Sequence, residues 1–385
     1  MITLKASKSS CLLINISDEW GTREKSTLID AKILAREGFK VWVYALKDSY
    51  LAREVVAAGF ELMSHTGPWV HSGFSILTPK GLRQILKSEA FKSVHLYQLN
   101  MLWPISHSLR NKRGTSLFVS LFEDFSQNYR GVWYRPYVHR VDRYLLWGFL
   151  NQEVLASDLD VHQRRLTPLG LPPALDSAEA SESVARTLEG QKQNHFMIGF
   201  EVAPHIERIE EIDPFLQACS QLQKKEEAKL ILYRRYPWRE SIIWADLEKR
   251  LFDLGIFDQT FALDAQAINV IPSFCDLWLS TPDCESTTVE FLLKGVPFLA
   301  PRTPFFSELI HQTGAGDSYR SQDLRELRQK IDAARTSQMN VLPLPPDFYE
   351  GHGPEAYEKA LIECYRTSID YRYRIAKKNQ APLDS

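Results

Sequence analysis

Short apolar runs recur along the chain, separated by longer amphipathic segments. In the first half they are Cys11 to Ile16, Val41 to Leu46, Val94 to Leu99, Leu117 to Phe122 and Val154 to Ala156. Runs of this length rich in β-branched and aromatic residues predict strands, and amphipathic segments between them predict crossover helices. The segment STLIDAKILAREGFK shows the helical part best. Leu28, Ile29, Ala31, Ile33 and Leu34 form one stripe, and Gly38 falls where a helix C-cap belongs. The second half repeats the pattern, with strands expected at His195 to Phe200, Lys229 to Tyr233, Thr260 to Leu263, Leu277 to Leu279 and Phe298 to Ala300. Alternating strand and helix is the signature of a parallel α/β sheet, and two such series predict two Rossmann-like domains in tandem.

The break between the series is visible in composition. AEASESVARTLEGQKQN is polar and lacks aromatic residues, as a linker or an exposed helix would be. The expected layout is a first domain over 1–172, a linker over 173–194, and a second domain over 195–345. A C-terminal segment over 346–385, which begins within the turn-rich LPLPPDFYEGHGP and becomes helical from about 355, packs back toward the first domain. Ligands of such sheets lie beyond the carboxyl ends of the strands, so two facing domains would share an interdomain cleft.

Composition narrows the class. At 385 residues with 44% hydrophobic and 24% charged side chains, the chain has globular composition and room for two cores. No apolar run reaches the ~18 residues of a membrane span and the start lacks a cleavage signature, so a cytoplasmic protein is expected. The cysteines Cys11, Cys219, Cys275, Cys284 and Cys364 have no C-x-x-C spacing, which points away from disulfide frameworks and zinc sites. Charge is unevenly spread: residues 1–172 carry 22 Lys/Arg against 15 Asp/Glu, a net +7, which leaves −9 for the rest of a chain of net −2. A basic first half suits an anionic acceptor or peripheral contact with a membrane surface; two domains attracting one another is the alternative. No Lys/Arg run is dense enough to indicate nucleic acid.

The stretch STPDCESTTVEFLLKGVPFLAP, residues 280–301, carries the most chemistry. It reads as a strand end, a polar loop, a helix over Thr287 to Lys294 and a further strand from Val296. A helix start leaves four backbone N–H groups unpaired and carries about half a positive charge, so Ser286, Thr287 and Thr288 are placed to cradle a phosphate. The same residues also suit a plain capping box, with Ser286 bonding its own helix and Glu290 completing it.

In their order and spacing these segments resemble the retaining glycosyltransferases of GT-B fold, the group that includes glycogen synthases and many lipopolysaccharide and capsule transferases. GTREKSTLIDAKILAREGFKVWVYAL is similar to that family's first loop, helix and strand. The SxxD followed by STTVEFLLKGVPFLA is similar to its donor-site element, and Phe305 to Ile310 with HQTGAG to the short helix and turn that follow. The resemblance implies a metal-independent retaining transfer from a nucleotide-sugar donor to a glycan, lipid-linked or protein acceptor. It implies no cofactor beyond the donor. It places Glu290 on the ribose hydroxyls and the backbone of Ser286, Thr287 and Thr288 on the diphosphate. Asp283 or Glu285 would face the sugar, and Gly21 and Thr22 would let the first loop approach the donor.

Two departures stand out. Where the family carries an Arg and a Lys after the first strand of the second domain, IGFEVAPHIERIEEIDPFLQA offers Glu201 and Glu210, with Arg208 the nearest cation. Arg234 and Arg235, at the end of the next strand, are the alternative cations for a leaving diphosphate; two solvated surface arginines are the other reading. The family's sugar-contacting His is replaced in SLFVSLFEDF by Phe122, followed by Glu123 and Asp124, which would face the acceptor side or simply end a strand. Substituted cations also suit a catalytically inactive binding or scaffold protein of this fold, and an epimerase is a third possibility. Asp158-Leu159-Asp160 reads as surface rather than a metal-binding D-x-D, and WYRPYVHRVDRYLLW as a helical aromatic stripe with His139 a core partner.

Overall fold

The computed structural model describes residues 9–18, 20–65, 80–122, 135–147, 152–170, 172–173, 182–203, 206–235, 238, 241–264, 267–281, 285–321, 323–337, 344, 350–351 and 353–378. The chain divides into two compact units. The first comprises Met1–Glu19, Arg23–Pro173 and Tyr349–Ser385, the second Trp20–Thr22 and Ala174–Phe348.

The first unit is built on a parallel sheet of β1 (Ser10–Asn15), β2 (Lys40–Leu46), β3 (Glu61–His65), β4 (Ser93–Leu96), β5 (Ser116–Leu121), β6 (Arg143–Trp147) and β7 (Leu166–Gly170). Their order is β3-β2-β1-β4-β5-β6-β7, so the chain reverses its direction of winding between β1 and β4. β1 is buried along almost its whole length, as expected of a strand covered on both faces. Leu12, Ile14, Val94, Leu96, Leu117 and Val119 join the core on one face of the sheet. After the Thr22–Arg36 helix, Gly38 adopts φ 86° and its N–H bonds back to Ala35, which ends the helix as the sequence predicts.

The long Pro354–Lys378 helix belongs to this unit and is tied to it by polar bonds through the core. Tyr357 donates to Asp30 Oδ1 at 2.7 Å, and Tyr97, just past β4, donates to Oδ2 at 2.5 Å. Tyr365 stacks on Phe118 at 4.3 Å, and its hydroxyl lies 2.8 Å from His95 Nδ1, whose Nε2 meets Ser120 at 2.8 Å. Farther along, Arg372 donates to Asp142 at 2.6 Å, and Asp142 in turn accepts from the Leu117 amide. Burial pushes the Asp30 carboxyl up to about 7, although both tyrosine bonds pull the other way. Burial pushes His95 down to about 3.

The second unit repeats the architecture with β8 (Phe196–Glu201), β9 (Ala228–Tyr233), β10 (Thr260–Leu263), β11 (Leu277–Leu279), β12 (Phe298–Pro301) and β13 (Asp317–Tyr319). All pairs are parallel in the order β10-β9-β8-β11-β12-β13, with the reversal between β8 and β11. Ile198, Phe200, Leu230, Leu232, Leu277, Leu279 and Leu299 build its core. Gly199 pairs with Trp278 across β8 and β11, where a Cβ would come within 2.8 Å of the indole ring, so only glycine fits.

Several sequence expectations change. Val154 to Ala156 is not a strand: Gln152–Leu159 is a helix, because Leu155, Ala156 and Leu159 bury one face while its polar residues cover the other. The aromatic segment ending at Trp147 forms one helical turn, Arg135–Val138, and then β6, whose residues after Arg143 are all buried, as in a strand covered on both faces. His139 is exposed there, 3.4 Å from Arg135, not a core partner. Asp160 sits at a positive-φ turn and pairs with Arg135. β3, β7 and β13 are strands the pattern did not single out; β7 contains Pro168, and β13 has three residues on an outer edge. Within the expected linker, Glu182–Lys192 is a helix that buries Leu188.

Candidate functional site

In doubly wound sheets the crevice lies at the carboxyl ends of the two strands where winding reverses. In the second unit those strands are β8 and β11, and the quoted polar stretch follows β11 directly. Ser280 and Thr281 leave the strand buried, and the helix runs Glu285–Leu293, two residues earlier than the apolar pattern indicates. The early start puts Glu285 in the first turn, where a carboxylate suits the positive end of the helix dipole.

The threonine hydroxyls of that turn face inward. Thr287 Oγ1 donates a short hydrogen bond to Glu201, the last residue of β8, which is 1% exposed. Thr288 Oγ1 donates to Ser280 Oγ at 2.7 Å, and both side chains are fully buried. The Ser280 carbonyl accepts from the Tyr319 hydroxyl at 3.4 Å. The first turn is thereby locked through Thr287 and Thr288 to the ends of β8 and β11. Glu290 lies one turn further on, partly buried, and accepts from Lys294 Nζ at 2.9 Å. Its position on the helix is fixed by a neighbour four residues away, so the carboxylate is held as an acceptor.

Three arginines were expected near this edge, and they differ sharply. Arg234, immediately after β9, is 4% exposed, which rules out a solvated surface arginine. Its amide donates to the Leu263 carbonyl, its Nη1 reaches the Ile206 carbonyl at 3.3 Å, and its guanidinium lies 5.7 Å from the Trp238 ring centre. A buried guanidinium bonded to the segment after β8 belongs to the same sheet edge as Glu201, since β8 and β9 are paired in register through Glu201 and Tyr233. Arg235 is half-buried and lies 4.8 Å from the centre of the Trp20 ring, within the Trp20–Thr22 segment that groups with the second unit. Arg208 is the opposite case: its side chain is 78% exposed and pairs with Glu211 at 3.4 Å. Gly21 and Thr22 are buried at the start of the Thr22–Arg36 helix. Asp283, Glu123, Asp124 and the Ser286 side chain lie outside the described residues.

The equivalent edge of the first unit is aromatic. Phe122, just past β5, lies 6.3 Å from Tyr97 and 6.2 Å from Trp147, with the Arg23 guanidinium 5.9 Å from its ring centre. Tyr97, Trp147 and Arg23 were not singled out by sequence reading; each stands at a strand end or helix start, a signal readable once strand ends are known. Behind them, buried Asn15 at the end of β1 donates to Glu24 at 3.2 Å and Thr27 at 2.9 Å, which joins β1 to the helix that follows. Among the described residues no three His, Cys, Asp or Glu side chains gather as a metal site, and no helix is long and apolar enough to cross a membrane.

No protein-family model and no curated protein matches the chain. Solved structures do, over nearly its whole length. A glycosyltransferase from Rickettsia africae ESF-5 superposes with TM-score 0.63 at 14% identity, covering 98% of this chain and 100% of that one. Anabaena Alr3699/HepE, solved with UDP and glucose, gives TM-score 0.61 at 13% identity over 97% and 100%. A putative UDP-N-acetylglucosamine 2-epimerase from Listeria monocytogenes gives TM-score 0.61 at 11% identity over 95% and 98%. The two parallel sheets with flanking helices are therefore the two Rossmann-like α/β domains of the GT-B fold.

Proposed function

We propose that the chain is a glycosyltransferase that draws a sugar from a nucleoside-diphosphate sugar bound at the carboxyl edge of its second sheet. The observation that carries this reading is the locked first turn of the Glu285–Leu293 helix at the point where winding reverses, with Glu290 behind it and Arg234 at the end of β9. An anion held there meets main-chain N–H groups and the positive helix end, and a vicinal diol finds a carboxylate acceptor in Glu290. The solved neighbours support the donor class, since HepE was crystallised with UDP and glucose.

In this reading transfer proceeds with retention and without a bound metal. Bond cleavage leaves positive charge on the sugar and negative charge on the departing diphosphate, so the diphosphate needs a cation as well as the helix start. Arg234 is the best placed: it is buried at the sheet edge, where a charge acts in a low dielectric, whereas Arg208 stands in solvent. Arg235 is the second choice. Asp283 or Glu285 would face the sugar, Gly21 and Thr22 the donor, and Glu123 and Asp124 the acceptor. That acceptor is a glycan, a lipid-linked sugar or a protein, and the basic first half favours an anionic one or a membrane surface.

The test is calorimetry of the intact chain with UDP, GDP, ADP and dTDP. One of them should bind with unit stoichiometry, and silence with all four contradicts the proposal. A second reading, a catalytically inactive binding protein of the same fold, draws on Glu201 standing where the resemblance asks for a cation. An active transferase releases free nucleoside diphosphate only when acceptor is present; an inactive one releases none. An epimerase would convert donor with no acceptor at all.

A further inference from the structure

The positive charge of the first unit is gathered on one edge of its sheet. β4, β5, β6 and β7 are parallel neighbours, so the segments entering them, 87–92, 109–115, 139–143 and 160–165, lie side by side at the amino edge. Together these segments carry 9 Lys/Arg against 3 Asp/Glu, a net +6 of the +7 in residues 1–172. Side chains stitch them to one another: Lys112 donates to the Glu89 carbonyl, Arg140 to that of Thr115 and Arg165 to that of His139, each at 2.8 Å. The end of the Pro354–Lys378 helix joins the same edge. Arg372 bonds Asp142 and the Arg140 carbonyl, and a Cβ on Gly114 would stand 3.6 Å from Ala376. Between 370 and 377 the helix adds 3 Lys/Arg against 1 Asp/Glu.

While Lys112, Arg140, Arg165 and Arg372 are bonded within the fold, the other cations of this edge look outward. Lys87, Lys92, Arg110, Arg113 and Arg164 are exposed, as are Arg374 and Lys377 on the helix. Among the described residues Arg110, Arg113, Arg374 and Lys377 form no ion pair. At about 100° per residue, Arg374 and Lys377 fall on the outer face of the helix between Tyr373 and Tyr371, which are 58% and 61% exposed. The carboxyl edge, where Phe122 meets Tyr97 and Trp147, lies a strand length away, about 20 Å for the six residues of β5. The basic excess therefore does not sit at the edge that would face an acceptor.

We propose that this amino edge is a docking surface for an anionic lipid bilayer, with Tyr371 and Tyr373 at headgroup level and the carboxyl edge of the first sheet turned away from the membrane. The inference deepens the membrane contact named in the proposed function and rests on that part alone, not on the nucleotide. A leaflet is a broad plane of negative charge, and cations spread across the width of four strands meet it together, each worth about fivefold in partition. An anionic polymer would instead follow a groove. Exposed phenols pair an apolar ring with a wet hydroxyl, the chemistry of the membrane–water interface; an acidic protein surface would use the cations and leave the tyrosines in water.

The experiment floats the intact chain with vesicles of equal parts phosphatidylglycerol and phosphatidylcholine, and with phosphatidylcholine alone. Wild type should bind the first and not the second, and should lose about tenfold in binding when salt rises from about 0.1 M to about 0.5 M. Arg110→Ser, Arg113→Ser, Arg374→Ser and Lys377→Ser combined should weaken binding about 30-fold or more, and Tyr371→Ser with Tyr373→Ser about threefold or more. Nucleotide affinity by calorimetry should stay within about twofold in both. A variant-free readout is lysine acetylation of wild type: vesicles should slow it at Lys87, Lys92 and Lys377 and leave Lys47, exposed just past β2 at the carboxyl edge, unchanged. Protection of Lys47 instead of those three overturns the proposal, whether or not a variant folds. Undiminished vesicle binding by a folded four-site variant also overturns it, while leaving a membrane contact elsewhere. If wild type floats with neither vesicle, the membrane contact falls with it, and binding to heparin or self-association would then name another partner for this edge.

Discussion

Each unit buries a carboxylate that accepts hydroxyl hydrogen bonds, and the two acids serve different ends because of where the fold puts them. Asp30 lies well inside the Thr22–Arg36 helix, takes bonds from Tyr97 and Tyr357, and thereby fastens the C-terminal helix to the first sheet. Glu201 ends a strand at the point where winding reverses and takes its bond from the first turn of a helix. Both are almost fully buried. Burial alone therefore does not distinguish a fastening from a site. What distinguishes them is the neighbour: two phenols behind Asp30, the positive end of a helix beside Glu201.

The comparison is broken most directly by changing the cation at the second edge. Arg234→Ala should lower turnover by roughly 30-fold to 1000-fold, or about 2–4 kcal/mol of barrier, because a charge-assisted contact that strengthens as the bond breaks is lost. Arg208→Ala, in solvent, should change turnover less than a fewfold. Equal effects from the two substitutions in a steady-state assay would refute the assignment.

The first edge is sharpened by pH. Asp30 has its folded value raised to about 7, so its stabilising contribution is complete below the ordinary carboxylate value and is lost as pH rises toward 7. His95, lowered to about 3, does the reverse: its contribution is present above pH ~6.5 and is lost as pH falls. In the wild-type chain the two trends oppose each other between pH 4.5 and 6.5 on the order of 1.4 kcal/mol per pH unit each. Asp30→Asn leaves the histidine trend uncovered, so urea unfolding should show its stability relative to wild type growing by about 2 kcal/mol from pH 4.5 to 6.5. Parallel pH profiles for the two proteins would show that Asp30 does not titrate as described. Tyr357→Phe, which removes one of its donors, should cost about 1–3 kcal/mol at either pH.

Smaller effects follow within the second unit. Gly199→Ala forces a methyl into the Trp278 ring and should destabilise the chain by about 1–3 kcal/mol without altering nucleotide specificity. If Glu290 holds the ribose as proposed, Glu290→Gln should weaken donor binding by about tenfold while turnover at saturating donor changes less, since such a contact would be made before and during transfer alike. Activity should survive a chelator, the smallest effect of all.

Much of the framework was legible because buried parallel strands read as short apolar runs, as β1, β2, β9 and β12 do. Two edge strands were not, although β10, also at an edge, was: β3 and β13 bury one side poorly and carry Glu61 and Asp317, so pattern gives way to pairing. The segment Gln152–Leu159 misled because three apolar residues fit either period. In the candidate site, the helix after β11 could be read from the polar-to-apolar switch, but its start at Glu285, two residues before the expected Thr287, could not. The inward turn of Thr287 and Thr288 could not, since it depends on Glu201 and Ser280, 86 and 8 residues away in sequence. Nor could the contrast between buried Arg234 and exposed Arg208, which depends on where the segments after β8 and β9 lie in the fold.

The central claim is that the second unit's strand ends, not the first unit's polar core, hold the nucleotide. Amide hydrogen exchange of the intact chain with and without saturating UDP, GDP, ADP or dTDP tests it region by region. For the nucleotide that binds, the account predicts slowed exchange at 285–290 and at the ends of β8 and β9, with the Asp30 and His95 surroundings unchanged. Protection confined to the first unit, or none with any of the four, would contradict it.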